Sequence, residues 1–196
     1  MVDEPTLSRA QLLHRGLLAG GGIVVAGVLL GEPPAPAESS PEQDAEVLGF
    51  VLRLERLQEA FYAEAVRRGR ITDEPREFAR VVGGHELAHV AFIEKALGRA
   101  APPAQRYDFG DATADPAAFL ETARELEDLT TRAYNAGAPG LSRGALTAAA
   151  RIASVEARHA AWIRDIAGLN PAPDASEPLT TPEKVMDTVR ASGFMS

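Results

Sequence analysis

The chain has 196 residues, 45% of them hydrophobic, and a formal net charge of −8. That is enough apolar material for one ordinary domain with a core, and nothing basic is clustered, which argues against nucleic acid as a partner. It has no cysteine, which excludes disulfides, thiolate metal sites, cysteine nucleophiles and a lipid-bearing cysteine. Any metal ion must be held by oxygen and imidazole.

Residues 1–37 read as a leader. Arg9, His14 and Arg15 precede an uncharged run at 17–30, and Ala35-Pro36-Ala37 follows. Positive region, apolar region and small-x-small site is the order of an export signal. The run is short for a membrane span, which needs about 20 residues. The stretch Ser8-Arg9-Ala10-Gln11-Leu12-Leu13 is similar to a twin-arginine export motif with Ala10 in place of the second arginine. The expectation is export to the periplasm or cell surface. The alternative is an uncleaved N-terminal anchor, the only membrane contact the sequence offers.

A linker at 38–41 leads into the first helix. Ser40 is placed to cap it and Pro41 to open it, and Gly69 to stop it after Arg68. Its inner stripe is Leu48, Leu52, Glu55, Glu59, Tyr62 and Val66. Thr72 or Asp73 caps a second helix running to Leu97, with a stripe of Phe78, Val82, Glu86, His89, Ile93 and Leu97. Gly83-Gly84 inside it predicts a kink or a close helix contact. Residues 99–114 are Pro-rich and aperiodic, a long connection lying across the bundle. Asp115-Pro116 opens a third helix with a stripe of Leu120, Ala123, Glu127, Thr130 and Tyr134, closing near Gly137. Ser142 caps a fourth, ending at Gly168, whose stripe runs Ala149, Ile152, Glu156, His159, Ile163 and Ile166. In the tail, 169–196, Thr181-Pro182 starts a short helix over 182–191. No strand pattern survives. The fold class is all-α: an antiparallel four-helix bundle over 42–168.

The bundle repeats itself. Glu55 is followed seven residues later by Tyr62, and Glu127 seven later by Tyr134. Glu86-x-x-His89 precedes VAFIEKALG, and Glu156-x-x-His159 precedes AAWIRDIAG. A helical hairpin used twice brings both Glu-x-x-His faces to the bundle centre. Glu and His three apart share a helix face, so both reach one ion. Four carboxylates balance two divalent cations; without cations they would repel and mostly protonate.

One Glu from each of two helices plus Glu-x-x-His from each of the other two resembles the ligand set of ferritin-like di-iron carboxylate proteins. The phrases LERLQEAFY, LEDLTTRAYNAGAP and IASVEARHAAWIRDIAG are similar to the ferritin-like domain of exported and desiccation-related bacterial proteins, over about 42–192. The resemblance implies terminal ligands at Glu55 and Glu127, bridging ligands at Glu86 and Glu156, and His89 and His159 one on each ion. Tyr62 and Tyr134 would be the catalytic neighbours, as hydrogen-bond donors or redox-active groups. It implies two divalent ions, iron or manganese, since both accept these donors. Metal ions, dioxygen or peroxide are the expected partners, and a homodimer is compatible with the pattern. The activity implied is that of an oxidoreductase with ferroxidase, oxidase or peroxidase-like chemistry. A non-catalytic stress or desiccation-type bundle, with a structural metal or none, is the other reading.

Around this set, Glu59 is either a replacement for Glu55 or a supporting residue. His85, next to Glu86 but off its stripe, is a surface or supporting histidine. Glu125 and Asp128 flank Glu127 and are expected to point outward. Phe92 and Trp162 occupy equivalent repeat positions and are expected to pack.

Overall fold

A computed structural model describes residues 39–195. The leader at 1–37 and the first linker residue lie outside the described residues. Within them the chain is all-helical, with a lone bridge between Tyr107 and Met195 and no β-strand. No helix among the described residues is long and apolar enough to cross a membrane.

Helix α1 spans Pro41–Arg68. Ser40 Oγ accepts from the Gln43 amide (3.2 Å) and Gln43 Oε1 from the Ser40 amide (2.8 Å), so both partners of a capping box are satisfied. Gly69 ends the helix at φ 65°, the left-handed conformation that glycine adopts without a Cβ clash. Helix α2 spans Asp73–Leu97 and α3 spans Pro116–Gly137. Helix α4 spans Arg143–Ile166 and α5 spans Pro182–Ala191. Asp115, Ser142 and Thr181 each cap the helix that follows them.

The helices form two antiparallel hairpins, α1–α2 and α3–α4. Residues 98–115 join them lengthwise along α1. Arg56 of α1 donates to the Pro102 carbonyl (2.7 Å) and to Glu94 (2.7 Å), and Arg68 donates to the Gly110 carbonyl (2.8 Å). The connection therefore delivers α3 beside the C-terminal end of α1, where Phe119 stacks on Phe61 at 5.5 Å. At the other end, Asp44 accepts from the Ser142 amide (2.7 Å) and hydroxyl (2.6 Å), fixing the start of α4 to the start of α1. Val185 and Val189 of α5 are buried. The Phe194 carbonyl accepts from the Asp108 amide (3.0 Å), closing the C-terminal end over the connection.

Gly83 marks a close helix contact. Helix α2 runs through it unbroken, and a methyl group there would stand 3.0 Å from Tyr62 Cβ. That approach seats α2 directly against the Tyr62 turn of α1. The inner stripe of α1 passes through Gln58, which is fully buried, and not through Glu59, which is only partly covered. Gln58 and Glu59 both lie about one turn from Glu55 and Tyr62, on opposite sides of that line, and packing against α3 favours the Gln58 side.

Candidate metal centre

The six ligand candidates come from four helices and converge on one buried layer. Glu55 lies on α1, Glu86 and His89 on α2, Glu127 on α3, Glu156 and His159 on α4. All four carboxylates are fully buried, and His159 is nearly so. Two groups of donor atoms form, each within a 4.8 Å span: Glu55, Glu86, His89 and Glu156, and Glu86, Glu127, Glu156 and His159. Glu86 and Glu156 belong to both.

The distances divide Glu86 between the groups. Its Oε2 stands 3.3 Å from His89 Nδ1, and its Oε1 stands 3.2 Å from His159 Nδ1. His89 Nδ1 is also 3.2 Å from Glu55 Oε2 and 3.1 Å from Glu156 Oε1. His159 Nδ1 lies 3.5 Å from Glu127 Oε2 and 3.8 Å from Glu156 Oε1. Ligand atoms about 2.1 Å from a shared ion and at right angles to each other stand about 3 Å apart. The layer has that spacing.

The residues fit a cation by a second measure. Glu86 Oε1, Glu127 Oε2, both Glu156 oxygens and His159 Nδ1 are buried without a hydrogen-bond partner. An unsatisfied buried polar atom costs about 1–3 kcal/mol, more when charged, so five in one layer call for a common partner. They are near one another but not aligned as donors and acceptors. Glu86, Glu127, Glu156 and His159 each bring one such donor atom within 4.8 Å of the others.

Electrostatics within the layer say the same. Burial, with Glu55 and Glu156 alongside, pushes the Glu86 carboxyl well above its usual range. Burial raises Glu127 to about 7. Burial also pushes Glu156 upward, but the imidazoles of His159 and His89 beside it outweigh burial and hold that carboxyl low. Burial works against the imidazolium of His89, yet Glu156, Glu55 and Glu86 lift it to about 12; Glu127, Glu156 and Glu86 lift His159 to about 11 in the same way. Without a metal, protons on two imidazoles hold the carboxylates together. A divalent ion displaces such protons when it binds.

The tyrosines pair across the bundle. Tyr62 of α1 donates to Glu127 of α3, and Tyr134 of α3 donates to Glu55 of α1. Neither could reach the Glu on its own helix, because seven residues span about 10 Å of axis. Both rings are almost wholly buried. Burial and the neighbouring carboxylates push both phenols well above their usual range, so they stay protonated donors. Their contacts are with the Glu127 and Glu55 carboxylates, which they orient.

His85 meets the layer from outside. Its Nδ1 is 2.9 Å from His159 Nε2, with the two rings stacked at 5.1 Å. His159 thus turns Nδ1 to the carboxylates and Nε2 to His85, the arrangement that fixes the tautomer of a metal-binding imidazole. Glu59 belongs to neither donor group; its carboxylate is a half-covered side chain near Tyr107. Asp128 corrects the outward expectation. It is 5% exposed and binds Arg164 of α4 at 2.5 Å, with Arg124 at 3.5 Å and Arg132 at 3.9 Å. The 100° step from Glu127 turns it toward the hairpin partner α4, whose arginine neutralises it. Glu125 is exposed as expected. Sequence reasoning also passed over Gln58, which accepts from Thr130 at 2.5 Å and knits α1 to α3 one turn from the carboxylates; an uncharged residue three positions after a ligand candidate was its only signal.

A four-helix bundle with this acid-and-imidazole layer defines a class of helical carboxylate metal-site proteins. The model of the ferritin-like domain family matches residues 43–169. The chain belongs to that family. No curated protein matches it.

Proposed function

We propose that this chain is a di-metal carboxylate protein, suited to iron and compatible with manganese, whose chemistry is redox with dioxygen or peroxide as co-substrate. The carrying observation is Glu86, which turns one oxygen to the His89 group and the other to the His159 group, as a ligand shared by two ions must. In this reading Glu86 and Glu156, which belong to both donor groups, would serve both ions, Glu55 and Glu127 would serve one each, and His89 and His159 would add one imidazole to each. A pair of redox-active ions held there would supply electron transfer to oxygen that side chains lack. Tyr134 and Tyr62 hold the two terminal carboxylates in place and keep their own protons. The His85 contact fixes His159.

Elemental analysis of purified protein, followed by an Fe(II) oxidation assay under dioxygen, tests the reading. About two ions per chain and turnover support it. A bound but inert ion, or no ion, favours the non-catalytic stress-type bundle. His159→Ala should lose metal, and unchanged metal content in that variant defeats the proposal. We also infer that residues 1–37 direct export, on their order of charge, apolar run and small-residue site. N-terminal sequencing of the mature protein decides whether they are removed.

A further inference from the structure

We propose that the seam between α2 and α4 is a binding site for a small amphipathic organic anion, a carboxylate on an apolar chain or ring, and that such anions are the substrate class of the centre. The second half of this statement rests on the di-metal reading. The first does not.

A cavity of about 490 Å³ opens along this seam, within the range of about 300–1,000 Å³ usual for small-molecule sites. His89 forms part of its wall. Among the six ligand candidates His89 is the most exposed, at 12% of its side chain against 4% for His159 and none for the carboxylates. Whatever occupies the cavity therefore touches the one part of the layer that reaches the surface. Phe92, Ala148, Ile152 and Val155 make the wall apolar. A second cavity of about 140 Å³ shares Phe92, Ala148 and Ile152 with the first and reaches in to Tyr134. The two together offer an apolar trough.

The larger cavity also carries positive charge along its α4 wall. Arg151 and Arg158, seven residues apart on α4, line the larger cavity. Neither stands in an ion pair among the described residues, and both guanidiniums are exposed at the cavity wall. Two uncompensated guanidiniums in a chain of net charge −8 repel a ferrous ion on this route and attract an oxyanion, which guanidinium recognises in bidentate fashion. Phe92 adds independent weight. Its repeat partner Trp162 packs edge-on against Phe78 at 5.1 Å, but Phe92 is 48% exposed and faces the cavity. An aromatic ring left open beside a pair of free cations suits an apolar anion.

The test is calorimetric titration with octanoate, phenylacetate, octanol and octylammonium, with metal content measured on the same preparations. Octanoate or phenylacetate should bind, and which of them binds tighter distinguishes chain from ring. The double variant Arg151→Glu/Arg158→Glu should weaken that binding about tenfold or more with metal content unchanged. Ala148→Trp, which fills the trough without touching charge, should weaken it as well. Binding that survives both variants, octylammonium binding as tight as octanoate, or no anion binding at millimolar concentration overturns the proposal. Anion binding that depends on the arginines in a protein without metal upholds the binding site and removes the di-metal reading instead.

Discussion

The two seams of this bundle are built from the same repeated hairpin and behave oppositely. Between α1 and α3 the contacts are closed: Tyr62 to Glu127, Tyr134 to Glu55, and Thr130 to Gln58, all buried. Between α2 and α4 the same layer is reached through a cavity walled by His89, Phe92 and Ile152. The division follows residue type. The helices that supply a carboxylate alone pair it with a phenol and need no opening. The helices that supply both carboxylate and imidazole keep their small residues, Ala88 and Ala148, facing the cavity. A buried charged layer is sealed on the side where its polar atoms have protein partners. It is open on the side where His89 meets the cavity.

The largest effect that could break this comparison is on metal content. Glu86→Ala removes a residue common to both donor groups, whereas Glu55→Ala removes one that serves a single group. Bound metal should fall from about two ions per chain to near none in the first variant and to about one in the second. Equal loss in both would show that the two groups do not share Glu86.

Next in size are the tyrosines of the closed seam. Tyr62→Phe and Tyr134→Phe each leave a buried carboxylate oxygen without its donor, which costs about 1–3 kcal/mol. For a domain of this length that is a drop in melting temperature of several degrees. The two losses should be similar, because the contacts are related by the repeat. A neutral result for either would mean that its seam is not held by the phenol.

The outline of this site is visible in sequence because it depends on spacing within a helix. Glu86 to His89 and Glu156 to His159 each fix a shared face before any packing is known. What depends on the register between helices is not visible. Each phenol sits seven residues from a Glu of its own helix, which hides that its partner is the Glu of the other hairpin. The burial of Asp128 needs Arg164 across the hairpin, 36 residues away. The inner position of Gln58 rather than Glu59 is a drift of one residue along a long stripe, below what residue type resolves. The fold was more legible than the site, since capping and turn residues such as Ser40, Gly69, Asp115 and Ser142 act locally.

A pH-dependent effect comes from protons. In metal-free protein, His89 and His159 titrate near 12 and 11 in the folded state, against an ordinary 6.5. Raised imidazole values mean the folded state holds protons that the unfolded chain has released. The stabilisation is complete below about pH 6.5 and is lost progressively as pH rises toward the folded values. Metal-free protein should therefore melt lower at pH 9 than at pH 6.5, by roughly 1 kcal/mol of stability per pH unit for each histidine. Metal-loaded protein should lack that slope, because the ions have replaced the protons. A metal-free melting temperature that rises over this interval would contradict the imidazole-carboxylate contacts.

The smallest effect separates the seams most finely. Phe92 and Trp162 stand at equivalent places in the repeat, and sequence alone assigns both to packing. Trp162 lies on Phe78 and donates from Nε1 to Glu74 at 3.1 Å. Trp162→Ala should cost about 2 kcal/mol or more, through lost contact area and the cavity left behind. Phe92, about half exposed, removes little surface from water when the protein folds. Phe92→Ala should cost less than about 1 kcal/mol. Urea denaturation of both variants at fixed metal content measures the difference. A penalty at Phe92 as large as that at Trp162 would mean that the α2–α4 seam is packed shut in solution. An open seam predicts that Phe92 is retained for what it touches in the cavity, with little part in holding the helices together.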